Sequence, residues 1–270
     1  MFNLNGKVMF DWQRVSAGLN SLSDASGSEQ KTWLLGAFVS PKILLHFGNR
    51  LQWLVYVPVG VKYYHSADGS LDYDKRFFSI CPYSNLTYKP TGRLSFDLTT
   101  ICEESMPSVL SQMVLKHYVN YRTTMSNPYQ VEIVPNRSVK LAFTSSYKDI
   151  IKMLFGGVTL SYVDARNGNS MGYQVVDDVV NYIVQPQSTK NRVWQIEQTV
   201  AKGFFRWNSK ISESFSIGTS RREYYIGGDC HDGRSDYLQA KISYVASVRK
   251  WLNLSISNDY SVSKPYTDGK

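Results

Sequence analysis

The chain has little of the chemistry that identifies most enzymes and metalloproteins. Cys81, Cys102 and Cys230 are its three cysteines. An odd count without metal-ligand spacing excludes a disulfide framework or a zinc fold. A Cys102–Cys230 bridge stays open for an oxidising compartment, with unpaired thiols the favoured reading. The four histidines, His46, His65, His117 and His231, show no ligand spacing relative to one another. No run of about 18 apolar residues exists to cross a membrane as a helix. The formal charge of +8 is dispersed, without a basic block or a nucleic-acid-binding pattern, so nucleic acid is not an expected partner. The start, Met1 to Lys7, has neither the basic nor the apolar region of a signal peptide. It reads as a strand already under way, which leads us to expect that the true N-terminus lies upstream.

What the chain does have is alternation. Hydrophobic residues make up 43% and aromatic residues 14%, with 19 tyrosines, so it is not a disordered composition. Phe2, Leu4, Val8, Phe10 and Trp12 fall on one face of a first strand, opposite Asn3, Asn5, Lys7, Asp11 and Gln13. Leu51 to Tyr63, Phe78 to Tyr88, Leu94 to Leu98, Val139 to Phe143, Leu154 to Tyr162, Leu238 to Ala246 and Leu252 to Val262 repeat the pattern. Trp12, Trp53, Trp194 and Trp251 sit in predicted strands, the last two in Val193–Phe205 and Trp251–Val262, as the aromatic girdles of a membrane barrel would require. Two features resist the pattern. Pro58 and Pro82 lie inside strands, where a missing N–H removes a ladder bond, and symmetric pairing would place them almost opposite each other. Gln198 and Lys202 share a face with Trp194, Ile196 and Val200.

The connections alternate in length. Tight turns are predicted at Phe47–Arg50, Lys89–Gly92, Lys148–Lys152, Arg206–Ser209 and Ser247–Lys250, each with a Lys or Arg. Long loops are predicted at Ala17–Gln30, Ser66–Lys75, Glu103–Arg137, Asp164–Lys190 and Glu223–Ser235. Within the longest, the runs from Met106 to Leu110 and Val114 to Tyr118 are compatible with a short helix. Short turns on one side and long loops on the other are the signature of a transmembrane β-barrel. The expected architecture is therefore all-β: an antiparallel up-and-down barrel segment of about eleven strands, with short periplasmic turns and long extracellular loops. Residues 1–270 form one such region, without a plug domain. A soluble β-rich, lectin-like binding module also alternates, with its apolar face turned inward, and is the competing reading.

The middle of the chain carries a family likeness. Gly92-Arg93-Leu94-Ser95-Phe96 is followed by Met106-Pro107-Ser108 with Gln112-Met113, then Asn127-Pro128 and Pro135. This resembles the C-terminal barrel half of TonB-dependent outer-membrane receptors, particularly the Bacteroidota-type outer-membrane β-barrel proteins. The spacing departs from the family's, since Tyr129 to Val134 separate the two prolines and Asn136 follows the second. The resemblance implies a fragment, or a gene split from its plug, amounting to half of a 22-stranded barrel. It implies residence in the outer membrane of a Gram-negative cell, contact with outer-membrane lipid, and uptake of a large nutrient such as a glycan, peptide or chelated metal. The implied partners are a plug domain, a TonB-type energy transducer and a surface lipoprotein. No cofactor and no enzymatic activity are implied.

Candidate site residues are few. Tyr118, Tyr121 and Tyr129, in the longest loop, have the stacking faces that contact a glycan-like ligand. Gly228-Asp229-Cys230-His231-Asp232-Gly233 resembles a cation loop only superficially, because Asp-Gly pairs are ordinary turn formers. His117 near Ser111 and His231 near Asp229 lack any surrounding nucleophile motif.

Overall fold

The computed structural model describes residues 2–21, 24–67, 72–107, 117–126, 131–132, 134–176, 178–226, 229–249 and 252–267. Seventeen strand segments form one sheet. In chain order these are β1 (Phe2–Ser21), β2 (Asp24–Phe47), β3 (Leu51–Tyr56), β4 (Val59–Ala67), β5 (Asp72–Ile80), β6 (Tyr83–Tyr88), β7 (Leu94–Ser105), β8 (His117–Asn120) and β9 (Thr123–Ser126). They continue with β10 (Asn136–Asp149), β11 (Leu154–Asn167), β12 (Ser170–Val176), β13 (Val179–Gln185), β14 (Thr189–Phe204), β15 (Ser209–Ile226), β16 (Asp229–Arg249) and β17 (Leu252–Thr267). Among the described residues the one helical element is a 3-10 turn at Phe205–Trp207.

The main wall is an antiparallel meander. β1 pairs with β2, and β2 pairs with β3 along one half and β4 along the other. These pair in turn with β6 and β5. The wall runs on through β7, β10, β11, β14, β15, β16 and β17. Among the described residues β1 and β17 do not pair with each other, so the sheet is open.

The segment count exceeds the eleven expected, for two physical reasons. Pro58 and Pro82 each split one strand in two, giving β3/β4 and β5/β6. The prolines of three neighbouring strands line up. Pro41 O accepts from Val57 N at 3.0 Å, Pro58 O from Cys81 N at 3.2 Å, and Pro82 O from Cys102 N at 3.0 Å. The other reason is that β8, β9, β12 and β13 lie inside the long connections, in which the sequence reads as β-prone only from Gly172 to Gln185.

The predicted long loops need the same correction. The β1–β2 ladder continues in register from Phe2↔Ile43 to Ser21↔Asp24, through the whole Ala17–Gln30 stretch. β15 and β16 likewise stay paired to Ile226↔Asp229, inside the stretch expected to be loop from Glu223 to Ser235. A stretch whose sequence shows no period-two apolar pattern can still form a backbone ladder. Ser, Gly and Asp then read as loop. The stretch expected to be compatible with a short helix lies outside the described residues except at its ends, Met106–Pro107 and His117–Tyr118, and the latter belongs to β8.

At the opposite end the strands are joined by tight turns. Gly48 takes a left-handed φ of 63° after β2. The Thr91 hydroxyl accepts from the Leu94 amide at 3.1 Å and so closes the turn into β7. Asn208, at φ 41°, ends the 3-10 turn before β15, a conformation asparagine tolerates better than most residues.

Candidate functional site

The sheet has two faces of opposite character. Leu35, Val39 and Ile43 on β2, Val139, Leu141 and Phe143 on β10, and Val158 and Leu160 on β11 are all exposed. Ile196, Ile217, Ile242 and Leu254 extend this apolar face across β14 to β17. Strand register joins Phe143, Leu160, Ile196 and Ile217 in one cross-strand row. The apolar face ends in aromatic side chains. Tyr162 and Trp194 stand opposite each other with ring centroids 4.4 Å apart, as do Trp33 and Tyr63 diagonally at 5.0 Å. Trp251 lies outside the described residues. Gln198, Lys202 and Glu213 interrupt the apolar face near the turns.

The other face is polar and bonded to itself. Cross-strand pairs join Ser95 to Ser146 at 2.7 Å, Asn85 to Thr99 at 2.8 Å, Gln195 to Ser216 at 3.1 Å and Lys241 to Asp259 at 3.1 Å. Buried hydrophobic residues are few among those described: Tyr64, Phe77, Val184 and Ala246. Tyr64 and Phe77 cluster with Leu34 and Met106, so the chain leaving β7 packs against the β4–β5 hairpin.

A cavity of about 680 Å³ opens beside that hairpin, lined by Lys62, Glu104, Arg137, Lys7, Cys81 and Cys102 among others. Glu104 sits between two cations, with Lys62 Nζ at 2.9 Å and Arg137 Nε at 3.1 Å. Burial alone would raise the Glu104 carboxyl. Hydrogen bonds from Lys62, Ser79 and Arg137 more than offset this and hold it below the ordinary carboxylate range. Above it, His65 Nδ1 lies 2.7 Å from Asp74, whose carboxyl is lowered first by that bond and then by Tyr63.

The long connections are woven together. β9 runs parallel to β13 from Thr123↔Val180 to Ser126↔Ile183, and Thr124 donates its hydroxyl to the Asn181 side chain. β12 joins β15 in parallel at Gly172↔Tyr225 and Tyr173↔Ile226. Lys75 pairs with Glu132, and the Asn169 side chain bonds the Glu132 carbonyl and the Val134 amide.

Of the tyrosines expected to meet a ligand, Tyr121 stands at the tip between β8 and β9, 83% exposed, with the Arg122 guanidinium 5.4 Å from its ring centroid. Tyr118 belongs to β8. Tyr129 lies outside the described residues, as do Ser111 and Gly228. Asp229 to Gly233 are strand rather than a loop tip, paired with β15. Alternation sends Asp229 and His231 to one face and Cys230 and Asp232 to the other, so they do not converge on a cation. His231 stacks on Tyr224 at 5.7 Å. Among the described residues no group of three His, Cys, Asp or Glu side chains has metal-site geometry. Cys102 lies on β7 and Cys230 on β16, with β10, β11, β14 and β15 between them, too far apart for a bridge. The three thiols are free.

Sequence reasoning missed Lys62, Glu104 and Arg137, which come from three separate elements. It also missed three arginines, Arg192, Arg221 and Arg234, which register places directly opposite one another.

An antiparallel all-β sheet with an exposed apolar face and a self-bonded polar face has the architecture of an outer-membrane β-barrel wall. A solved structure agrees on the fold. The chain is similar to the copper transporter OprC, with a TM-score of 0.59 and 10% identity over 98% of this chain and 45% of that one. Looser likenesses, below the level that bears on the argument, are to the ferric enterobactin receptor PfeA of Pseudomonas aeruginosa (TM-score 0.46, 11% identity, 95% of this chain and 54% of that one) and the siderophore receptor PirA of Acinetobacter baumannii (TM-score 0.42, 10% identity, 96% and 53%). The chain thus spans about half the length of the structures it resembles. No protein-family model and no curated protein matches the sequence.

Proposed function

We propose that the chain forms part of the wall and outer loops of a TonB-dependent receptor of the Bacteroidota type, in the outer membrane of a Gram-negative cell. The observation that carries this reading is the exposed apolar face. Phe143, Leu160, Ile196 and Ile217 lie 41–45% exposed in one cross-strand row, while the polar face carries side-chain bonds such as Ser95–Ser146 and Gln195–Ser216. In water such a band would be a large uncovered patch; against lipid it is covered. The similarity to a copper transporter's fold supports a barrel.

In this reading about eleven wall strands, with each proline-split pair taken as one strand, make half of a 22-stranded barrel. The tight turns lie in the periplasm and the hairpin-rich connections outside. The function is capture and passage of a large nutrient, a glycan, peptide or chelated metal, and involves no covalent chemistry. Tyr121, with Tyr118 and Tyr129, meets the ligand. A plug domain fills the lumen, a TonB-type transducer displaces it, and a surface lipoprotein assists capture.

Refolding the chain with and without detergent tests the reading. We expect a folded, protease-resistant species only in detergent or lipid. Recovery of a folded monomer in plain buffer would overturn the membrane assignment and favour the soluble binding module.

A further inference from the structure

The three arginines form a feature that a barrel wall does not need. Arg192 of β14 stands directly opposite Arg221 of β15, Arg221 opposite Arg234 of β16, and Arg234 opposite Tyr266 of β17. Directly opposed residues in an antiparallel ladder bring their Cβ atoms to about 5 Å, and like charges placed so repel. Alternation puts this row on the apolar face. Arg192 lies two residues beyond Trp194, Arg221 four beyond Ile217, and Tyr266 four beyond Val262, so the row begins where the apolar band stops.

The two outer arginines are partly neutralised. Arg192 pairs with Asp164 at 3.5 Å, and Arg234 makes two bonds of 2.9 Å to Asp236 and lies over the Tyr266 ring at 5.7 Å. Arg221, between them, has no ion pair among the described residues and is exposed. A cavity of about 450 Å³ opens over the row, with Lys190 and Arg222 also on its wall. Its two carboxylates, Glu223 and Asp232, oppose each other one step farther from the apolar band, and Glu223 accepts the Lys190 amide at 2.9 Å.

We propose that this row binds the phosphate-bearing headgroup of a lipid in the surrounding leaflet. The inference rests on the membrane reading given above. A phosphate accepts paired N–H bonds from guanidinium groups, so one placed over Arg221 turns the repulsion along the row into attraction. The position selects a lipid over a soluble anion. Acyl chains hanging from a phosphate at this height lie along Trp194, Ile217 and Val262, whereas Glu223 and Asp232 lie beyond the row from the apolar band, and Asp236, on the band side, is taken up by Arg234.

The test uses the whole chain refolded in detergent. Lipid retention is read by native mass spectrometry with diphosphoryl lipid A, monophosphoryl lipid A and phosphatidylcholine as probes, and inorganic pyrophosphate as competitor. The wild type should retain diphosphoryl lipid A best and phosphatidylcholine least. Arg221→Glu should lower lipid A retention at least tenfold, and Arg221→Lys should lower it less. Heat-dependent gel migration checks that both variants are folded, and Arg192→Ala replaces Arg221→Glu if that variant is not. Unchanged lipid A retention in the folded variants overturns the proposal, as does displacement of lipid A by equimolar pyrophosphate, which would identify a soluble-phosphate site. These outcomes leave the barrel standing if folding still depends on detergent. A chain that folds without detergent overturns both.

Discussion

Lys62 and Glu104 form an ion pair at 2.9 Å with both side chains almost wholly shielded, 8% and 4% exposed. The pair ties the β4–β5 hairpin to the end of β7, two segments that share no backbone pairing. Replacing Glu104 by Gln strands the Lys62 charge, and loss of a charged hydrogen-bond partner costs about 1–3 kcal/mol. We expect Glu104→Gln to lower the denaturant midpoint and to speed proteolysis of the outer hairpin, whereas Arg137→Ala, whose side chain is 67% exposed, should do little.

The pH dependence of that tie follows from its sign. The Glu104 carboxyl is held below its ordinary value in the folded state. Its contribution is therefore fully present above the unfolded carboxylate pKa and is lost as pH falls through the lower, folded one. Hydrogen exchange of the β4–β5 hairpin measured on either side of that range should show protection falling at acid pH in the wild type and falling less in Glu104→Gln, where the lowered carboxyl of Asp74 still titrates.

Leu160 and Ser161 are adjacent and face opposite ways. Arginine at a lipid-facing midplane position of a barrel costs about 2–4 kcal/mol, while a lumen-facing one is tolerated. Leu160→Arg should sharply reduce folding yield in lipid vesicles, and Ser161→Arg should leave it near wild type. Equal effects from the two would contradict the assignment of faces.

Gly60 of β4 stands opposite Phe38 of β2 in the antiparallel ladder. A Cβ built there would sit 2.3 Å from the Ala37 carbonyl oxygen and 2.5 Å from the Phe38 ring. The backbone oxygen cannot swing aside as a flexible side chain would, so Gly60→Ala should destabilise by about 1–3 kcal/mol in a denaturant titration. Gly6→Ala, with nothing within 4 Å, is the control and should be neutral.

Asp149 governs one of the tight turns. Its Oδ1 accepts the Lys152 amide at 3.0 Å, and Oδ2 lies 3.3 Å from Arg93. The Lys152 amide is the main reason its carboxyl titrates below the usual range, with Arg93 adding to it. Asp149→Ala should lower the unfolding midpoint at neutral pH, and the difference from wild type should shrink as acid protonates the carboxylate.

The wall was legible in the sequence because each of its strands has one apolar face, and alternation is a local property. Leu252 to Val262 and Phe2 to Phe10 announced themselves for that reason. The outer end of the β1–β2 hairpin did not, since Ser16 to Asn20 and Ala25 to Gln30 are paired in the backbone ladder without a period-two apolar pattern in their sequence. The parallel contact of β9 with β13 joins residues 57 apart in sequence, and nothing in either segment encodes the other. The site was less legible still. Arg192, Arg221 and Arg234 are three scattered basic residues until register sets them side by side, and Glu104 looks like ordinary loop charge until Lys62 arrives from another hairpin.

The aligned prolines give the sheet a mechanical property. Along the line from Pro41 through Pro58 to Pro82, each strand lacks one donor, and the carbonyls that remain are already engaged across it. A pull on the outer hairpin meets its weakest row of rungs there. With those donors missing, we expect the line to act as a perforation, at which the sheet opens before the lower ladder from β3 to β6 when the exposed end is pulled.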